Sequence, residues 1–95
     1  MEVIEFKDDY YLLDHEGQKY LKFYWHDRDF DIDMLIQIKG GEERLYSQMF
    51  PEVSYRQLVK EVAIGVISGS KYIEREIKGE LRELADIAIG KYKKR

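Results

Sequence analysis

Phe30-Asp31-Ile32-Asp33-Met34-Leu35-Ile36-Gln37-Ile38 decides the fold. Phe30, Ile32, Met34, Ile36 and Ile38 fall on every second position, and Asp31, Asp33 and Gln37 fill much of the alternate set. That period of two is the signature of a strand with one buried face. The flanks extend the reading. Downstream, Lys39-Gly40-Gly41-Glu42 reads as a two-residue hairpin turn between opposite charges, which pairs Ile36 with Leu45 and Leu35 with Tyr46. Upstream, the polar connection His26-Asp27-Arg28-Asp29 brings Trp25 opposite Phe30. Earlier still, a tight turn at Glu16-Gly17 sets Asp14 opposite Lys19, Leu12 opposite Leu21 and Leu13 opposite Tyr20.

Four antiparallel strands follow, all within about residues 2–50, and Val3 to Phe6 adds either a fifth, edge strand or the start of the first strand ahead of a bulge at Asp8-Asp9. Across the sheet, Leu12, Leu21 and Met34, then Tyr10, Phe23 and Ile32 with Met49 beyond, make the core face. On the opposite face Lys22 is expected opposite Asp33 and Gln37 opposite Arg44. One row on that face is apolar throughout: Leu13, Tyr20, Leu35 and Tyr46. Left bare, it would present roughly 400 Å² of side chain, near the largest patch that a monomer leaves to water.

Beyond Pro51, which cannot donate to a ladder, the period changes. Ser54 with Gln57 three residues on is a capping-box signal, and Leu58, Val59, Val62, Ala63, Val66 and Ile67 make an apolar stripe broad enough for burial on more than one side. A helix over about 54–68 is expected, closed by Ser68-Gly69-Ser70. Ser70 then caps a second helix over about 71–92, in which Ile73, Ile77, Leu81, Leu84 and Ala88 recur at helical spacing. Gly79 and Gly90 each weaken it by about 1 kcal/mol relative to Ala. The fold class is therefore α+β: a four-stranded, or with Val3–Phe6 five-stranded, antiparallel β-meander followed by two α-helices packed on the sheet.

Composition sets the outer bounds. The 95 residues, 44% hydrophobic and 37% charged, suit one small domain over residues 1–95. No apolar run approaches the 18 or so residues of a membrane span, so no membrane partner is expected. Met1-Glu2-Val3-Ile4-Glu5-Phe6 lacks the basic segment and apolar stretch of a secretory leader, and a cytoplasmic location is the expectation. The absence of cysteine removes disulfides, thiolate metal sites and cysteine nucleophiles. Asn and Thr are absent as well while Glu, Lys, Ile and Tyr abound, a bias that suggests a thermophilic source. Net charge is −3 overall, but residues 1–53 carry −7 and residues 54–95 carry +4. An acidic strand half and a basic helical half attract each other within a chain or between chains.

Motifs that carry chemistry are few. Asp29, Asp31 and Asp33 project from one face of a strand about 6.6–6.8 Å apart. Counting a calcium loop from Asp27 puts Ile32 and Ile38 where Gly and Glu are required, so that motif fails. The acidic row is read first as a solvated strand face, then as an imitation of nucleic-acid phosphates that would occupy a nucleic-acid-binding partner. No metal site and no cofactor are expected. Tyr11, Lys22 and Tyr24 share the outer face, and with Lys91, Lys93, Lys94 and Arg95 of the basic C-terminal run they could stack and neutralise a nucleic-acid strand. The plainer reading of that run is a cationic helix end favoured by the helix dipole. His15 and His26 both sit in predicted turns with no Ser beside them, so no catalytic residue is assigned. The nearest enzymatic alternative is a metal-dependent nuclease built on Asp31, Asp33, Gln37 and Lys39. Ser68-Gly69-Ser70-Lys71 lacks phosphate-loop spacing and follows a helix.

The row Leu13, Tyr20, Leu35 and Tyr46 has the best functional claim. Aromatic and aliphatic side chains rimmed by Lys22, Asp33 and Arg44 have the make-up of an interface core. The expectation is a small, non-enzymatic interaction protein that pairs with itself, or with another protein, through the outer sheet face. The competing expectations are burial of the row by the second helix of the same chain and nucleic-acid binding through the sheet tyrosines and the basic tail.

Overall fold

The computed structural model describes residues 1–7, 9–45, 55–69 and 72–94. Four strands, β1 (Glu2–Lys7), β2 (Tyr10–His15), β3 (Gln18–Asp27) and β4 (Phe30–Gln37), form one antiparallel sheet in the order β1-β2-β3-β4. A short helix α1 (Gly40–Arg44) follows, then α2 (Arg56–Gly69), a 3₁₀ turn (Ile73–Arg75) and α3 (Glu80–Lys93). The architecture is α+β, with helices α2 and α3 packed on the sheet.

The first hairpin has the register that alternation requires: Leu12 faces Leu21, Leu13 faces Tyr20 and Asp14 faces Lys19. Its turn residues Glu16 and Gly17 both take positive φ, 52° and 79°, matching the right-handed twist of the flanking strands. The second hairpin corrects the sequence reading. Its loop is Arg28-Asp29 alone, with Arg28 at φ 53°, so Asp27 faces Phe30 and Trp25 faces Ile32. A slip of two residues keeps every side chain on its expected face, because the pleat repeats in twos. It does change the neighbours: Leu35 now faces Lys22, and Gln37 faces Tyr20.

Val3–Phe6 belongs to a separate edge strand, β1, which is paired with β2 and kinked by a bulge between Val3 and Glu5. The strand expected after Gly40-Gly41 is replaced at its start by α1. Lys39 is extended (φ −79°, ψ 153°), Glu42 reaches back to accept its N–H at 3.0 Å, and two acids occupy the first turn, where the helix dipole favours them. Lys19 Nζ donates to Glu43 Oε1 at 2.6 Å, and Arg75 grips Glu42 through both terminal nitrogens at 2.8 and 2.7 Å. Those ties draw the segment into a helix rather than a hairpin. Leu45 closes α1, so the pairing of Ile36 with Leu45 is lost. Tyr46, Met49, Pro51, Ser54, Ser70 and Arg95 lie outside the described residues.

The second predicted helix is divided. Gly79 sits at φ 80°, ψ −141°, a conformation essentially reserved for glycine, and α3 begins only at Glu80. Ahead of it, Ile77 N–H donates to Leu35 O at 2.8 Å, and the Arg75 side chain donates to Gln37 O at 2.9 Å, so this segment lies along the outer edge of β4.

Two cores result. Leu58, Val59, Val62 and Ala63 of α2, with Tyr55, pack on Tyr10, Leu12, Leu21, Phe23, Met34, Ile36 and Ile38. Ile64 on α2 is exposed, which corrects the expectation of burial on more than one side. Ala85, Ala88 and Ile89 of α3 pack on Val3, Leu13, Tyr20 and Leu35. The sheet is thus covered on both faces, each by one helix.

Candidate interaction surface

The apolar row expected to meet water is roofed by its own chain. Leu13 and Leu35 are 0% exposed and Tyr20 is 5% exposed, held beneath Ala85, Ala88 and Ile89. Small alanines let α3 approach closely, and Leu13, Tyr20 and Leu35 become the second core instead of a docking face. Of the expected rim, Lys22 is largely buried and its Nζ lies 2.5 Å from Asp33 Oδ1, while Arg82 of α3 reaches the same oxygen at 3.1 Å. The positive charge of the helical half therefore meets the negative charge of the strand half inside one molecule.

The residues grouped for nucleic-acid contact do not make one platform. Tyr11 is half-buried between Phe6 (centroids 4.5 Å apart) and Tyr92 (6.1 Å, edge-on), with Lys93 Nζ 5.9 Å from its ring centre. Tyr24 is exposed, and its hydroxyl donates to Asp31 Oδ1 at 2.9 Å. Lys91 and Lys94 stand in solvent at the end of α3. Lys22, between Tyr20 and Tyr24 on β3, is held by Asp33.

The acidic row is likewise engaged. His26 Nδ1 lies 2.5 Å from Asp31 Oδ1, and hydrogen bonds from His26 and then Tyr24 hold the Asp31 carboxyl below its usual range. The same bond to Asp31 raises the Tyr24 phenol. Asp29 occupies the hairpin loop. Among the described residues, no group of three or more acids, histidines or cysteines is placed to hold a metal ion. Nor is any helix among them long and apolar enough to cross a membrane. His15 is paired weakly with Glu16 at 4.0 Å.

With each sheet face packed by a helix and β4 flanked by Arg75 and Ile77, the outer edge of β1 is left open among the described residues. Among the described residues no strand pairs with it. Half of the N–H and C=O groups of an edge strand point away from its neighbour, and here they do so beside two large side chains, Ile4 and Phe6, each 49% exposed. Sequence reading placed β1 but did not single it out; the signal was present in Glu2-Val3-Ile4-Glu5-Phe6-Lys7, an apolar strand with acids on one side and a base closing it.

No family model matches the chain, and comparison with curated proteins and with solved structures gave no match.

Proposed function

We propose that the protein is a small, non-enzymatic interaction module that docks by strand addition on the outer edge of β1. One observation carries this reading: an edge strand bearing two half-exposed apolar side chains, in a molecule whose sheet faces are each packed by a helix. Strand addition takes affinity from main-chain hydrogen bonds and selectivity from side chains on alternate positions, and β1 offers both. A nucleic-acid partner is less well served, because the carboxylates of Asp31 and Asp33 and the cation of Lys22 already have partners in their own chain.

Residue-resolved amide hydrogen exchange on dilute protein tests the proposal. The β1 amides that point away from β2 are expected to exchange orders of magnitude faster than the central amides of β2 and β3. Uniform protection along β1 in dilute monomer would mean that the edge is already covered, and the proposal would fail.

A further inference from the structure

We infer that the partner at this edge is a second copy of the chain, joined β1 to β1 about a two-fold axis. The inference rests on the docking role just proposed for β1, and it follows from the order of charges and faces along the strand.

Glu2, Glu5 and Lys7 face Asp14, Leu12 and Tyr10, on the side of the sheet covered by α2, whereas Val3 and Phe6 face Leu13 and Tyr11, on the side covered by α3. The bulge makes this possible. In an unbroken strand Val3 and Phe6, three apart, would point to opposite faces. The extra residue, Ile4, brings both onto the α3 side, so the faces read the same from either end of the strand.

Two such strands laid antiparallel, with Glu2 opposite Lys7 of the second copy, also place Val3 opposite Phe6 of that copy. Both of these pairs then share a face, with Ile4 and Glu5 of the two copies meeting about the axis at the centre. The Glu2–Lys7 pair occurs twice, once at each end, as a two-fold requires. Directly opposed unlike charges stabilise a cross-strand pair, and like charges there oppose it. A parallel arrangement would instead set Glu2 near Glu2 and Lys7 near Lys7. Charged side chains and a bulge ordinarily keep an edge from random pairing. On β1 they admit a strand with the complementary order, and its own sequence is one.

The axis runs perpendicular to the sheet, so the two four-stranded sheets become one of eight strands. Both α3 helices then lie on one side and both α2 helices on the other. Pairing also gives Phe6, packed at a tilt on Tyr11 at 4.5 Å, an apolar neighbour in Val3 of the second copy. The contact is one strand wide, below the area of a standard interface, so association depends on concentration in the micromolar range or above.

Charge exchange tests this. Sedimentation equilibrium from about 1 µM to about 1 mM is run on wild type, Glu2→Lys, Lys7→Glu and a mixture of the two variants. Wild type is expected to dimerise. Glu2→Lys opposes Lys to Lys at both ends and Lys7→Glu opposes Glu to Glu, so each should dimerise at least about tenfold more weakly. Their mixture restores an unlike pair at each end and should form a heterodimer about as tight as the wild-type dimer, which also shows that both variants are folded. A wild type that stays monomeric at about 1 mM, variants that dimerise undiminished, or a mixture that does not associate would each overturn the inference. A monomeric wild type with fast-exchanging β1 amides refutes self-pairing alone. Protected β1 amides in the dilute monomer refute the docking edge as well.

Discussion

Replacing Leu35 by Ala distinguishes a sheet covered on both faces from a sheet covered on one. Leu35 is 0% exposed and sits in the cluster that α3 makes with Val3, Leu13 and Tyr20. Its backbone carbonyl also anchors the segment before α3, through the bond from Ile77 N–H at 2.8 Å, so the site has little freedom to collapse. Truncating a fully buried Leu costs about 2.7–5 kcal/mol, as transfer free energy plus the cavity left behind. The alanines of α3 are too short to fill that space, and a loss of about 3 kcal/mol is expected. For a domain of this size the midpoint of thermal unfolding should fall by roughly 12–24 °C. Urea unfolding of wild type and Leu35→Ala at equal protein concentration measures it, with Ile87→Ala as the control, since Ile87 is 56% exposed on the same helix and should cost no more than about 0.5 kcal/mol. A loss below about 1 kcal/mol at Leu35 would refute burial beneath α3.

Arg75 ties α1 and the 3₁₀ turn to β4, and Arg75→Ala should destabilise the protein by about 2 kcal/mol at neutral pH, because Glu42 and the Gln37 carbonyl both lose a charged donor. Burial pushes the Glu42 carboxyl up, but the Arg75 guanidinium and the Lys39 N–H together hold it below its ordinary value of 4.5. Stability from a carboxyl depressed in the folded state is present above its unfolded pKa and is lost as pH falls through the folded one. The difference between wild type and Arg75→Ala should therefore shrink in unfolding experiments as pH is lowered past 4.5. Gly79→Ala meets no atom within 4 Å but forces φ 80° on an L-residue, and should cost about 1–3 kcal/mol by denaturant titration; a neutral result would place the α3 boundary elsewhere. Glu16→Asn at φ 52° should raise stability by about 0.5–1 kcal/mol, with an unchanged slope of unfolding against denaturant.

The sheet was legible from the chain where alternation and turn chemistry agreed. Glu16-Gly17 has a Gly at the second turn position and fixes the first hairpin, and the α2-facing set from Tyr10 to Met34 follows from periodicity alone. Register in the second hairpin was harder to read, because Arg28 gives no local sign that it will adopt positive φ; the slip of two residues changed partners but not faces. Gly40-Gly41 misled because a hairpin and a helix start share the same local pattern, and the choice was made by distant side chains, Lys19 on Glu43 and Arg75 on Glu42. A similar reason hid the fate of the apolar row. Leu13, Tyr20 and Leu35 were recognisable as a patch needing cover, yet whether α3 or another molecule covers it depends on where Gly79 breaks the chain and redirects it. The docking role proposed for β1 draws on the order of its charges, which gains meaning only once the bulge is known.

The proposed docking edge stands on α3 closing the second sheet face, and methyl nuclear Overhauser contacts in dilute protein read that closure directly. Cross-peaks are predicted between the methyls of Leu13 and Leu35 and those of Ala85, Ala88 and Ile89, with none of these methyls broadened by a soluble paramagnetic agent. Absent cross-peaks, together with strong paramagnetic broadening of Leu13 and Leu35, would contradict it and return the interaction surface to the sheet face.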